Sequence, residues 1–159
     1  MMYRQLREDV CLHNQRVVQA GLVVLTWGNV SGADRAQGVM AIKPSGVDYD
    51  RLRPEDMVVL SLANGEVLDG ELNPSSDTPT HLYLYQQFGA IGGIVHTHSI
   101  CATSWSQAET ALPCFGTTHA DHFYGPIPVA RPLRAEEIDH AYELHTGVAL
   151  VDTFRKLGL

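Results

Sequence analysis

The chain has 159 residues, 45% of them apolar and 18% charged, with a formal net charge of −7. That length predicts one domain with an ordinary core, burying roughly 68 to 70% of the surface of the unfolded chain, and the composition excludes long disorder. Without a Lys or Arg cluster to neutralise phosphates in a row, the acidic balance excludes nucleic acid as the main partner, while a small anionic ligand held by local groups stays open.

The start, MMYRQLREDV, is charged where a signal peptide is apolar, and no run approaches 18 apolar residues, so a cytoplasmic protein without a membrane partner is expected. Residues 3–20 place Leu6, Val10, Val17 and Val18 on one helical face, with Gly21 as the stop, which predicts a surface helix lying on a sheet. LVVLTW (22–27) and VMAIK (39–43) read as strands joined by the polar, turn-rich link GNVSGADRAQG. MVVLS (57–61) and EVLDG (66–70) flank LANG as a hairpin. DTPTHLYLYQQF (77–88) opens as a helix, with Thr78 a candidate cap and Pro79 in the first turn. IGGIVHTH follows as a strand, SICATSWSQAE (99–109) as a helix, 114–132 as short strands and loops, and 134–158 as two helices broken near Gly147. Helices interleaved with short strands predict an α/β chain whose hairpins make the sheet partly antiparallel. Cys11, Cys101 and Cys114 are odd in number and far apart, which argues against a disulfide framework and reads as three small core residues.

Within this frame the doublet His96 and His98 stands out. In a strand, residues i and i+2 share a face, so two imidazoles there can grip one metal ion, provided a further ligand is supplied; the plainer alternative is two polar residues on a solvated face. Three loops, GNVSG (28–32), KPSG (43–46) and PSSD (74–77), combine small residues, backbone N–H groups and hydroxyl or amide donors in the manner of an anion cradle, with Lys43 adding positive charge. Asp77 is either a helix cap or a carboxylate beside the imidazoles. Asp121, flanked by His119 and His122, is either a proton-transfer group or an exposed turn residue.

Taken in order, TWGNVSG, IKPSGVDYD, PSSDTPTH, GGIVHTHS and THADHFYG resemble the L-ribulose-5-phosphate 4-epimerase branch of the class II aldolase and epimerase superfamily, from near residue 5 to the C-terminus. The resemblance implies a three-layer α/β/α fold on a central mixed, mostly antiparallel sheet, with residues 1–159 as a single domain lacking the family's C-terminal elements. It implies Zn2+, one per subunit, held by Asp77, His96 and His98, with Mn2+ or Co2+ also accommodated. It implies a pentulose 5-phosphate held by Gly28, Asn29, Lys43, Ser45, Gly46, Ser75 and Ser76, with Asp121 as acid/base residue and Thr117 on the same pocket loop. The implied reaction interconverts L-ribulose 5-phosphate and D-xylulose 5-phosphate by retro-aldol cleavage and re-addition, the metal acting as Lewis acid and template. It belongs to pentose catabolism of the L-arabinose or L-ascorbate type and runs in a homotetramer. Plain aldolases of the superfamily have a glutamate where Asp77 stands and lack THADHFYG. The family's later zinc histidine and C-terminal tyrosine have no counterpart here, so weak zinc binding and poor turnover are expected. An inactive fragment, a phosphate-sugar binding module and a class II sugar-phosphate aldolase are the competing expectations.

Overall fold

A computed structural model describes residues 1–158. The chain forms two compact units, Met1–His98 and Ser99–Leu159. The first contains α1 (Arg4–Gln19), β1 (Gly28–Asp34), β2 (Val39–Ile42), β3 (Val58–Ser61), β4 (Val67–Asp69), α2 (Thr78–Gln87) and β5 (Gly93–Thr97). Its sheet runs β4-β3-β2-β1-β5, and every pairing is antiparallel.

The central strands VMAI and VVLS are apolar without alternation, the pattern of strands covered on both faces. Val39, Ala41 and Val59 pack on one side with Val10 and Cys11 of α1. Met40, Ile42, Val58 and Leu60 pack on the other with Tyr85 of α2. Helix, sheet and helix therefore make three layers, and each fully buried Ile or Val contributes about 1.5 to 3 kcal/mol.

α1 also buries polar residues one heptad apart, Arg7 and Asn14. The Asn14 amide is 0% exposed, donates to the carbonyls of Val10 (2.8 Å) and Val30 (2.9 Å), and accepts from the Val30 N–H (2.9 Å). Arg7 donates from Nη1 to the Glu55 carbonyl at 2.9 Å, and its Nη2 lies 2.6 Å from Asp69 Oδ2. The helix is thereby fixed in rotation over β1. Asn14→Leu keeps the branching but puts two larger methyl groups in place of the polar atoms and leaves both Val30 groups without a partner, so a stability loss of about 2 to 3 kcal/mol or more is expected in a denaturant titration. A loss under about 0.5 kcal/mol would mean that water replaces the amide.

Sequence and structure part at β1. LVVLTW is not a strand: Leu22, Val24, Leu25 and Trp27 are exposed, and Val24 and Trp27 only bridge a tight turn. The polar GNVSGAD, read as a link, is instead the strand between β2 and β5. Its small residues are the reason. A Cβ on Gly32 would stand 2.9 Å from Val10 Cγ2, so α1 lies on β1 at glycine distance, while Asn29 and Ser31 turn their polar groups toward α2.

The second unit contains α3 (Ile100–Gln107), α4 (Thr117–Ala120), α5 (Ala135–Asp139) and α6 (Tyr142–Lys156). The 114–132 stretch, expected as short strands and loops, holds the helical turn α4 and a single bridge between Leu112 and Ile127. The expected break near Gly147 falls at His140 and Ala141, where Ala141 has φ 56; Gly147 is buried within α6. Arg131 grips Glu137 with two bonds of 2.7 and 2.8 Å, and the Arg134 N–H adds a third at 2.9 Å. Those bonds, Arg131 first, hold the Glu137 carboxyl down to about 2. Cys11 is buried as expected, but Cys101 and Cys114 are exposed, since α3 and the following loop turn them outward. Among the described residues no helix is long and apolar enough to cross a membrane.

Candidate functional site

Four segments of the first unit line a cavity of about 390 Å³: Thr26 to Asn29 at the start of β1, Lys43 to Gly46 after β2, Ser75 to Asp77 before α2, and His96 and His98 at the end of β5. Register brings them together, because Asn29 pairs with His96 across β1 and β5. Gly28 makes that approach possible. It has φ +124, and a Cβ there would stand 2.9 Å from the His96 carbonyl oxygen.

The two histidines share a face, as residues i and i+2 of a strand do. His96 Nε2 and His98 Nε2 lie 2.9 Å apart, their rings stacked at 13° with centroids 4.9 Å apart. Two neutral imidazoles pointing the same nitrogen at one spot offer a pair of converging lone pairs, a donor set suited to a borderline divalent ion. Asp77 occupies the N-cap position of α2 without its side chain capping the helix. The carboxylate turns to the pocket instead, where Oδ2 accepts from Asn29 Nδ2 at 2.6 Å and from His96 Nδ1 at 3.3 Å. These contacts, the His96 bond first, hold Asp77 down to about 2 against the opposing effect of burial.

Asp77 therefore stands behind His96, on the ring nitrogen away from the Nε2 pair. Asp77, His96 and His98, the ligand set that the resemblance implies, line one cavity, with Asp77 on the outer ring nitrogen of His96; no group of three His, Cys, Asp or Glu placed to hold a metal ion occurs among the described residues. A carboxylate on Nδ1 fixes the tautomer and raises the basicity of Nε2, a supporting role.

The loops cradle less with backbone than their composition suggests. The Ser45 N–H goes to the Asn73 carbonyl and the Ser75 N–H to that of Lys43, stitching the two loops together. Gly46 and Ser76 keep N–H groups that no internal hydrogen bond takes up among the described residues. Lys43 is 3% exposed; its ammonium bonds the Pro44 carbonyl at 3.2 Å and lies 4.7 Å from the centroid of the Tyr49 ring. Burial lowers its pKa, opposed by Asp48. Asn29 Oδ1 is buried without a partner, an acceptor free for a ligand hydroxyl.

One turn along α2 from Asp77 lies a group that sequence reading does not single out. Ser31 Oγ is 2.7 Å from His81 Nδ1 and 2.8 Å from the Tyr85 hydroxyl. Burial lowers His81 to about 4 and raises Tyr85 to about 12. This chain links α2 and β1, the elements that carry Asp77 at its start and Asn29. Its sequence signal is the i, i+4, i+8 spacing of Asp77, His81 and Tyr85 on one helix face.

Thr117 and Asp121 belong to the second unit, as the first residue of α4 and the residue that ends it; the Asp121 N–H bonds the Thr117 carbonyl at 2.7 Å. His119 and His122 spend a ring nitrogen each on local carbonyls, Gly125 and Thr118. Thr26, Trp27 and Pro44, not among the residues expected from sequence, line the first unit's cavity.

The model of the family described as Class II Aldolase and Adducin N-terminal domain matches residues 8–156. The chain belongs to that family. Among solved structures, this class II aldolase-type domain is similar to an L-fuculose 1-phosphate aldolase, with 30% identity and a TM-score of 0.77 over 90% of this chain and 66% of that one. It is also similar to the L-fuculose-1-phosphate aldolase of Thermus thermophilus (28%, TM-score 0.69, 94% and 72%). YgbL from Klebsiella pneumoniae is a third (27%, TM-score 0.71, 94% and 72%). The class II aldolase-type chain thus spans about two thirds to three quarters of the length of these relatives.

Proposed function

We propose that this domain binds a phosphorylated ketose beside a divalent metal ion and makes and breaks a carbon–carbon bond of the sugar. The observation that carries the reading is the convergent Nε2 pair of His96 and His98, with a carboxylate behind one ring, in a cavity also lined by Gly/Ser loops and a lysine.

His96 and His98 would hold the ion, zinc or another divalent metal, which when bound supplies a Lewis acid for the carbonyl of the sugar. Asp77 accepts the Nδ1 proton of His96 and keeps the Nε2 lone pair directed at the cavity, and Asn29 holds Asp77 in place. The phosphate falls to Lys43, Ser45, Gly46, Ser75 and Ser76, where free N–H groups, hydroxyls and the buried ammonium offer donors of one sign. The family resemblance gives Asp121, four residues after Thr117, the proton exchange with the substrate hydroxyl. As that hydroxyl loses its proton, the adjacent carbon–carbon bond breaks toward the carbonyl, and an aldehyde forms.

The finer reading is L-ribulose-5-phosphate 4-epimerisation, in which the aldehyde turns over and is added back. Asp77 supports it, being one methylene shorter than the glutamate base of the plain aldolases. The second reading is cleavage of a ketose 1-phosphate with release of the aldehyde, supported by the 28 to 30% identity to L-fuculose 1-phosphate aldolases. Purified chain with added zinc, given L-ribulose 5-phosphate and separately L-fuculose 1-phosphate, distinguishes them. D-xylulose 5-phosphate, formed slowly, is the expected product; dihydroxyacetone phosphate from the second substrate alone would establish the aldolase, and no product from either would sink the catalytic reading.

A further inference from the structure

Trp27 is built into the cavity in a way that the metal pair and the phosphate loops do not explain. Its side chain is 55% exposed, although the backbone beneath it is tightly fixed. Leu25 takes φ 55, a left-handed conformation that leucine rarely adopts, and the Trp27 N–H closes the turn on the Val24 carbonyl at 3.0 Å. The buried Tyr49 clamps both sides: its hydroxyl lies 2.5 Å from the Gly28 carbonyl and 3.5 Å from that of Thr26, the two residues that bracket Trp27. An apolar residue wanted for the core would be turned inward by such a turn. Here the turn holds a large ring out of the core, at the cavity, 5.8 Å between centroids from His98 and tilted 48° to it. The strain sits two residues before a cavity-lining side chain, and such strain recurs next to recognition sites.

The chemistry of the cavity indicates what the ring would meet. Lys43, Ser45, Ser75 and Ser76 offer donors, and Asn29 Oδ1 offers an acceptor, so the phosphate and hydroxyls of a sugar phosphate already have partners. The C–H face of its carbon chain has none among them. A flat indole is the surface that suits such a face, contributing apolar area at the cost of two side-chain torsions.

We propose that Trp27 is a substrate-binding wall, its indole packing against the C–H face of the sugar carbon chain next to His98, so that it reads the sugar and not the phosphate. The inference rests on the sugar-phosphate reading of the same cavity.

The test uses the full chain and two probes, inorganic phosphate and D-xylulose 5-phosphate, titrated by calorimetry. Trp27→Ala is expected to weaken sugar-phosphate binding about tenfold and to leave phosphate binding unchanged, with Trp27→Phe recovering most of the loss. In a Trp105→Phe background, Trp27 is the one remaining tryptophan of the two, and the sugar phosphate is expected to shift its emission where inorganic phosphate does not. Unchanged sugar-phosphate affinity in Trp27→Ala, or an equal loss for both probes, overturns the assignment, the latter by making Trp27 a scaffold residue. If the unaltered chain binds phosphate but no sugar phosphate, the functional reading fails first and takes this one with it.

Discussion

His98→Asn is expected to strip the protein of metal and to cut sugar-phosphate turnover by about 100-fold or more. The basis is the lone-pair geometry: with Nε2 atoms 2.9 Å apart, each imidazole is half of a converging pair, and one ring alone cannot chelate. Changes one shell further out already cost about 10- to 100-fold in affinity or activity, so removing a direct donor sets that as a floor. Asp77→Asn is the informative companion. An asparagine keeps the shape and the contact with Asn29 but no longer stabilises the ring through a charge, so it should fall in that 10- to 100-fold range and retain measurable metal after dialysis. Should Asp77→Asn lose metal as completely as His98→Asn, the carboxylate is a ligand and its placement behind His96 has been misjudged.

Acid is expected to loosen the first unit well before its carboxylates titrate. His81 has an ordinary value of 6.5 that burial lowers to about 4 in the folded chain. Between those values the unfolded chain binds a proton that the native state refuses, so unfolding free energy rises with pH across that window. The full contribution is present above about 6.5, and about 2 to 3 kcal/mol is lost by pH 4, at about 1.36 kcal/mol for each pH unit. Asp77 and Glu137, both held down to about 2, add their losses only below their ordinary 3.8 and 4.5, so the higher window belongs to His81. Denaturation midpoints of chelator-treated protein at pH 7 and pH 4.5 measure the slope. His81→Gln should flatten it; an unaltered slope in that variant would assign the effect to another group.

The parts of the molecule that could be read in advance were those where one physical signal dominates. α1 and α2 carry helical spacing with a stop or a proline start, and VMAI and VVLS are apolar enough to be strands in any context. β1 could not be read that way, because its residues are chosen for nearness: Gly32 for α1, Gly28 for the His96 carbonyl, Asn29 and Ser31 for α2. LVVLTW misleads for the opposite reason, since an apolar run is a strand only if it finds a partner. At the site, spacing put the two histidines on one face and composition marked the three loops, and the family resemblance joined them. What spacing withholds is direction. It cannot say that Asp77 turns off its helix toward Nδ1 of His96, or that His81 meets a serine fifty positions earlier in the chain.

β5 closes the sheet and is hydrogen-bonded along one side only, to β1. A strand held from one side can shift along its neighbour, and a shift of one residue would send His96 and His98 to the α1 face and bring Val95 into the cavity. Only the correct alignment presents two imidazoles to a single ion. An ion at a thousand times its dissociation constant would favour that alignment by about 4 kcal/mol, so a metal held by His96 and His98 would proofread the strand that carries them.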